Sequence, residues 1–582
     1  MRRLAFALLL LAAPAAAGAQ QQGGIEAGAG FGAAGLTGCG TDLRYLNQVF
    51  GWQASWQRNW EGLATASDTE LRAAIVQWRT APAALRADEA ALARSARSRT
   101  GTAPRAIVER VLGQVEALAA RLSRDAPPLR AGADPELRRQ WEALFAEQIT
   151  PAIAHYRDFL RATYLPAASA SAGLSGLPDA ARCFRQAVRT FTSLDLPPAQ
   201  IEAIGRRLLT ETEGELQRLY HVRPGGMPRL LVRLRDLREP GFDADRLLAL
   251  TRAAIARGTA AMPRMFLGAV QQPVLVDPLP AAMEADSPAG LYRYGENGRP
   301  AAFVINLSRP QERRLMAEVI AFHETLPGHH IRAALGLPAG AFNSGYAEGW
   351  GIYAEYLADE MHLYSSPTDR AGMMTKHLWA ASRLIVEPGL HLHGWTRAQA
   401  IAFMRAHTAL SDAEIAVEVD RYISSPGQSL SYMLGYDRII TARHYAERVL
   451  GRRFDLRQFH QAVLGPGARP LNRMMADVVA WADRTARAGA GNAVREFRGR
   501  WTRGFEMSAF EGCWLDWGPG VQANFDRLEQ RKGADGSYPL WFEGRMEGSP
   551  RGRNGYGHLG GYPCRITVLR ILDPELIVPP LP

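Results

Sequence analysis

The sequence predicts a mainly α-helical protein: a large helical domain over residues 41–490 with a small β-sheet element beside a cleft, then a small β-rich module over 491–582. Three observations predict it. Stretches such as Glu70-Leu71-Arg72-Ala73-Ala74-Ile75-Val76 and Ile107-Val108-Glu109-Arg110-Val111-Leu112 carry apolar residues at i, i+3 and i+4 with charge between, the period of one helix face. A strand-like run, Ala302-Phe303-Val304-Ile305-Asn306-Leu307, interrupts the helical text. Beyond about Ala490 the composition turns to glycine, arginine and aromatics, and Cys564 to Leu572 alternates apolar and polar residues as a half-buried strand does.

Taken in order, residues 1–19 read as a cleavable signal peptide: Arg2-Arg3, an apolar run from Leu4 to Leu11, and small residues ending Ala17-Gly18-Ala19. The apolar run is too short to span a bilayer, and no later run of 18 or more apolar residues follows. The mature chain is therefore expected to be exported, periplasmic or secreted, with no membrane span. The arginine pair lacks the flanking residues of a twin-arginine signal, and no cysteine follows the cleavage point to accept a lipid. Residues 20–40, rich in Gly, Ala and Gln, read as a flexible lead-in. The net charge of +10 becomes +8 once Arg2 and Arg3 leave with the signal, and it is spread along the chain as arginine. No basic stripe interleaved with aromatics supports a nucleic-acid partner.

Four cysteines, Cys39, Cys183, Cys513 and Cys564, suit two disulfides in an oxidising compartment. Proximity in sequence favours Cys39–Cys183 and Cys513–Cys564 among the three connectivities. No Cys-x-x-Cys is present, which takes most of the weight from thiolate metal sites and thioredoxin-like redox chemistry.

From Thr41 to Leu165 the pattern is helical, and Pro197-Pro198 opens another amphipathic helix from Ile201 to Tyr220. Leu230-Leu231-Val232 and Val274-Leu275-Val276 are strand candidates, and the stronger strand at Ala302–Leu307 is placed as the floor of the cleft. Helices resume from Gln311 to about Arg487, punctuated at Gly336-Leu337-Pro338, Pro388-Gly389, Pro426-Gly427 and Gly465-Pro466-Gly467. Trp514, Trp517, Tyr538, Trp541, Tyr556 and Tyr562 then mark the β-rich tail.

Chemistry concentrates in His323-Glu324-Thr325-Leu326-Pro327-Gly328-His329-His330. A zinc hydrolase helix sets two histidines at i and i+4, on one face, with a carboxylate between them as base. Here Pro327 occupies i+4 and His329 lies at i+6, which a straight helix would carry to the far side. Proline removes a backbone donor and glycine admits unusual dihedrals, so Pro327-Gly328 predicts a broken helix that brings His329 or His330 back beside His323. Spacing alone leaves open which of the two returns.

Glu348 is the first candidate third ligand downstream, in Tyr346-Ala347-Glu348-Gly349-Trp350-Gly351-Ile352-Tyr353-Ala354-Glu355-Tyr356. Glu348, Ile352, Glu355 and Asp359 share a helix face, so Glu355 or Asp359 is placed behind the ligands to orient them. A His₂Glu shell holds one zinc ion and leaves its fourth position to water, from which Glu324 would take a proton as that water attacks a carbonyl. The ordinary alternatives carry weight: a lone helical histidine is most often structural, and a glutamate on an amphipathic helix is most often solvated. Three histidines and a glutamate within eight residues outweigh them.

Those eight residues, Glu348-Gly349-Trp350, Arg383-Leu384 with Gly389-Leu390-His391, Glu418-x-x-Arg421-Tyr422, and Pro426-Gly427-Gln428 with Tyr432 and Gly435 together resemble the bacterial family of domain of unknown function 885. The resemblance covers about residues 40–485. That family is grouped with gluzincin-type metallopeptidases, whose zinc motif it resembles with the Pro-Gly pair inserted. The resemblance implies a helical, metallopeptidase-like fold with an active site in a deep cleft, His323 and His329 as zinc ligands, Glu324 as base and Glu348 as third ligand, with His330 as the alternate. His391 and Tyr432 are placed to donate to an oxyanion, and Arg421 to hold a substrate carboxylate. Helix packing and an internal ion pair are their ordinary readings. Glu387 stands where family members often carry Asp.

The sequence is thus read as an exported zinc-dependent hydrolase, a peptidase acting on a peptide or other amide substrate, with the strand near Phe303 expected to pair with the substrate as an edge. Hydrolysis of another amide or an ester is the first alternative. A non-catalytic binding protein that contacts the cell envelope through its C-terminal module is the second.

Overall fold

A computed structural model of the chain describes residues 46–48, 51–63, 66–98, 101–279, 284, 288–295, 300–338, 340–489, 495–504, 507–518, 521, 536–548, 562 and 564–572. The expected signal peptide, the lead-in and Cys39 with its pairing to Cys183 lie outside the described residues; Cys183 itself is buried. The described chain is mainly helical, and it divides into two compact units. The first runs to Ala260 and adds Val270–Asp437 and Ala468–Leu471; the second takes Ala261–Ala269, Arg438–Gly467 and the chain from Asn472 on. Among the described residues no helix is long and apolar enough to cross a membrane.

In the first unit, helix Trp52–Gly62 sets indoles four residues apart on one face, and Trp56 and Trp60 are fully buried. Both pack on Trp78, and Trp60 meets Phe145 edge-on at 5.2 Å. Burying a large apolar side chain stabilises by about 2–3 kcal/mol, so this cluster anchors the N-terminal helices. The same core continues into Val386 and Leu390 and into Ile415, Val419 and Tyr422, which fixes the helices that carry the candidate site.

A three-stranded sheet has the order β1 (Leu275–Pro278), β3 (Ala302–Ile305), β2 (Gly290–Arg293), with β1 parallel and β2 antiparallel to β3. All four β3 residues are buried. The expectation that this strand offers a free edge to a substrate is therefore corrected: β3 is paired on both sides, and β2 is the edge strand next to it. The strand expected at Leu230-Leu231-Val232 is instead part of helix Met227–Arg235. Met227, Leu230, Leu231 and Leu234 are its buried residues, an i, i+3, i+4, i+7 stripe that a three-residue window conceals.

Six helices of the first unit or crossing out of it bear on the site: α1 (Ala317–Glu324), α2 (Ile331–Ala334), α3 (Ser344–Glu360), α4 (Pro367–His391), α5 (Asp412–Ser424) and α6 (Ser431–Leu450). Helix α4 starts on the Ser366 side chain, which accepts from Asp369 N, and is buried along most of its length.

In the second unit, β4 (Arg495–Gly504), β5 (Met507–Phe510), β6 (Cys513–Trp517), β8 (Cys564–Ile571) and β7 (Gly536–Gly548) close into a barrel in that order. All neighbours are antiparallel except β6 and β8, and this order with one parallel pair between third and fifth strands is that of the five-stranded Greek-key OB barrel. Alternate residues of β8 point inward, so Ile566 and Val568 join Trp501, Leu515 and Phe542 in a separate core. The disulfide expected between Cys513 and Cys564 is formed, tying the starts of the two parallel strands.

Candidate metal centre

Helix α1 ends at Glu324, as the proline-glycine pair requires. Thr325 leaves the helical region at φ −115 and ψ −116, and the Leu326–Pro327 peptide is cis. The chain then loops so that His329 N donates to His323 O at 2.8 Å and His330 N to Thr325 O at 3.1 Å. These longer-range bonds replace the i→i−4 ladder and return His329 to His323, with ring centroids 4.7 Å apart and nearly perpendicular. Gly328 makes the turn possible: a Cβ there would lie 1.9 Å from His323 O. Trp350 Nε1 donates to Pro327 O at 3.0 Å and ties the loop to α3.

Glu348 enters from the first turns of α3, whose start is capped by the Asn343 side chain accepting from Tyr346 N. Its Oε2 lies 3.4 Å from His323 Nε2 and 3.7 Å from His329 Nε2, and the three ligand atoms are all within 4.8 Å of one another. A tetrahedral zinc shell with bonds of about 2.0–2.2 Å has edges of about 3.4 Å, so the donor set fits that ion in type and spacing.

Behind the ligands, Glu355 stands two turns along the same face of α3 and is fully buried. Its Oε1 accepts from His323 Nδ1 at 2.6 Å, which turns the Nε2 side of the ring to the centre. Lys376 Nζ donates to the same oxygen, and His377 Nε2 lies 3.1 Å from Glu355 Oε2. Burial and the Lys376 ammonium push the His323 imidazole down, but hydrogen bonds with Glu348 and Glu355 reverse this and hold it up at about 9. Burial pushes the Glu348 carboxyl up, yet His323 and His329 hold it well below the usual carboxylate range. Shifts of this kind, together with the convergence of the three side chains, mark the cluster as a candidate functional site.

Glu324 is half-buried, adjacent in sequence to His323, and makes no hydrogen bond or ion pair among the described residues. His330, the alternate ligand, turns away: Nδ1 meets Tyr292 Oη and Nε2 meets Gln272 O, each at 3.0 Å. Asp359 also departs from its expected place, because Arg370 takes both its oxygens at 2.6 and 2.9 Å. His391 is not at the centre either. Its Nδ1 accepts from Leu174 N and its Nε2 donates to Tyr422 O, both at 3.2 Å, and burial pushes the imidazole down to about 4.

Tyr432, at the start of α6, faces the centre, its ring stacked 6.3 Å from the His323 ring. Burial pushes its phenol above the usual range and the Glu348 charge pushes it further. Arg421 is spent on protein partners: Nε and Nη2 donate to the two Glu418 oxygens at 3.0 and 2.7 Å, and Nη1 to Gln428.

Residues 8–478 match the family described as Bacterial protein of unknown function (DUF885). The chain belongs to that family. Two solved structures share much of its fold. A putative lipoprotein from Colwellia psychrerythraea is 24% identical with a TM-score of 0.68, over 75% of the DUF885 chain and 80% of that one. A putative lipoprotein of unknown function from Shewanella oneidensis is 16% identical with a TM-score of 0.56, over 74% and 82%. At these identities the likeness concerns the fold alone. No curated protein matches the chain.

Sequence reasoning missed Lys376, which the fold brings against Glu355, and it named Arg383 only as part of a family motif; the two are seven residues apart on α4, hence on one face. Charged residues at helical spacing among the Met, Leu, Ile and Val of that 25-residue helix were the available signal. Tyr294, just past β2, had no such signal. Its ring is partly exposed and meets Tyr292 edge-on at 4.9 Å, and burial, then the Glu348 charge, pushes its phenol up to about 12.

Proposed function

We propose that this DUF885 protein is an exported zinc-dependent hydrolase of the gluzincin-like kind, acting on peptides or related amides. One observation carries the reading: His323, His329 and Glu348 converge within 4.8 Å of one another, with Glu324 next to His323 in the chain and without a side-chain partner among the described residues, and with Glu355 fixing His323 from behind. A zinc ion held there supplies a Lewis acid that acidifies water and polarises a carbonyl. Glu324 takes the proton from the attacking water and passes it to the leaving amine. The Tyr432 hydroxyl donates to the oxyanion that develops on the carbonyl oxygen. Glu355 keeps the His323 ring in one tautomer and orientation through the cycle. The edge of β2, with Tyr292 6.3 Å from the His329 ring, is the nearest strand along which an extended substrate could lie. Export is supported by the pattern of residues 1–19 and agrees with the description of both structural neighbours as lipoproteins.

Metal analysis of the purified protein beside Glu324→Gln tests the reading. One zinc per chain in both, with hydrolysis of a mixed peptide library lost by about 10³-fold or more only in the variant, is the expected outcome. Metal-free protein that still hydrolyses peptides would sink it, and an active zinc protein that cleaves only esters would move it to the neighbouring substrate class.

A further inference from the structure

Arg383 is buried beside Tyr432, and next to it lie a second arginine, Arg421, and one carboxylate, Glu418, both partly buried. Glu418 takes the fork of Arg421 and also accepts from Arg383 Nη2 at 3.1 Å and from Tyr422 Oη at 2.9 Å. Arg383 Nε donates to Tyr422 Oη at 3.1 Å, and its Nη1 makes no hydrogen bond among the described residues. The side chain is only 4% exposed. The other nearby acid, Glu387, is occupied elsewhere, accepting from Gly427 N, Ser429 N and Ser429 Oγ. One positive charge is thus left without a carboxylate of its own; the Trp379 and Tyr432 ring centroids lie 4.4 and 4.5 Å from the Arg383 guanidinium carbon and share that charge, and an anion at Nη1 would complete its partners.

Its position ties that charge to the metal centre. The Arg383 guanidinium carbon sits 4.5 Å from the Tyr432 ring centroid, and that ring stacks 6.3 Å from His323. Along α4, Arg383 lies two turns, about 10 Å, from Lys376, which contacts the Glu355 that supports His323. Allowing for contact distances at both ends, one or two extended residues at about 3.4 Å each bridge the gap.

We propose that Arg383 anchors a substrate carboxylate one or two residues beyond the cleaved bond, so that the enzyme removes short C-terminal pieces or cleaves next to an acidic side chain. The chemistry is a planar guanidinium fork meeting a carboxylate, the role the sequence suggested for Arg421, whose own fork Glu418 already fills. This substrate class rests on the hydrolase reading above; the anion site itself does not.

Two measurements test it separately. In the zinc-loaded protein, N-blocked peptides that differ only in a C-terminal carboxylate or carboxamide are compared by kcat/KM. The acid is expected to be favoured by about 100-fold or more, because a site built for a charged group rejects the analogue lacking it. A carboxamide peptide with Asp or Glu just past the cleavage point distinguishes the two sources: cleavage as fast as the acid assigns the side chain, slow cleavage the chain end. Arg383→Gln should bring the acid-to-amide ratio close to one, and Arg383→Lys, the variant to use should Gln not fold, should lower it in part. A merely structural arginine would slow both peptides and leave the ratio intact, which overturns the proposal. In the metal-free protein, calorimetry with an N-acetyl amino acid and its amide should find the acid bound at least about tenfold more tightly, and equally in Arg383→Gln. No peptide hydrolysis with selective binding of the acid removes the hydrolase reading and keeps the anion site. Hydrolysis with acid and amide treated alike does the reverse.

Discussion

His391 gives the clearest pH signature at the level of a single residue. Held neutral between Leu174 N and Tyr422 O, its imidazole is pushed by burial to about 4 against an ordinary 6.5. A folded-state value below the unfolded one means that the unfolded chain binds more protons between these limits. The stability His391 contributes is therefore complete above pH 6.5 and is lost as pH falls through 4, about 3 kcal/mol over the whole range. Glu387 acts with opposite sign: burial raises its carboxyl to about 7 from 4.5, so its effect favours the fold as pH falls across that range. Denaturant unfolding of the protein and of His391→Asn at pH 7 and pH 4.5 should separate them, the variant gaining in relative stability at the lower pH by about 2–3 kcal/mol. Identical pH slopes would rule the account out. At this scale the sequence carried the cluster of donors but not their directions. His329 and His330 are neighbours in the chain, and only the turn geometry, set by bonds from His329 N and His330 N, sends one to Glu348 and the other to Tyr292. His391 and Arg421 had the right chemistry for catalysis, but their partners, Leu174 and Glu418, come from packing that spacing does not encode.

The turn between α1 and α2 is where the fold makes the candidate site. Its closing bond, His329 N to His323 O, needs the two backbones in contact over Gly328, where a Cβ would meet His323 O at 1.9 Å and Phe322 O at 2.4 Å. Gly328→Ala should open the turn, displace His329 and weaken zinc binding by more than about 100-fold, beyond the cost of losing an outer hydrogen-bond partner. The fold should lose about 1–3 kcal/mol in the same variant. Competition with a calibrated chelator, read beside thermal unfolding, checks both; unchanged zinc affinity would mean that His329 does not depend on this turn. The break itself was legible, since Pro327-Gly328 cannot continue a helix. Sheet pairing was not. β3 looked like an available edge because β2 lies in a short segment that shows no pattern of its own and because the pairing of β3 with the strand foreseen near Leu275 is set by non-local packing.

For the molecule as a whole, helical periodicity and the late shift in composition were enough to foresee a helical body and a β-rich tail. Barrel closure was beyond them, because β4 pairs with β7 across some forty residues and glycine-rich text weakens the alternation. One long-range link was readable. Cys513 and Cys564, 51 residues apart, form the disulfide that joins the parallel strands β6 and β8 where the barrel's other pairings are antiparallel. Parallel pairing is slightly weaker per residue and needs a long connection, so a covalent tie at the start of this pair holds the barrel's parallel seam. Closing a loop of that length restricts the unfolded chain by about 4 kcal/mol in the chain-entropy account. Cys513→Ser with Cys564→Ser should lower barrel stability by up to that amount. Hydrogen exchange of β4 to β8 should rise accordingly, while the helices of the first unit, which have their own core around Trp56 and Trp60, keep their protection. An unchanged barrel would mean that β6 and β8 hold without the tie, and equal loosening of the first unit would mean that the two cores do not unfold independently.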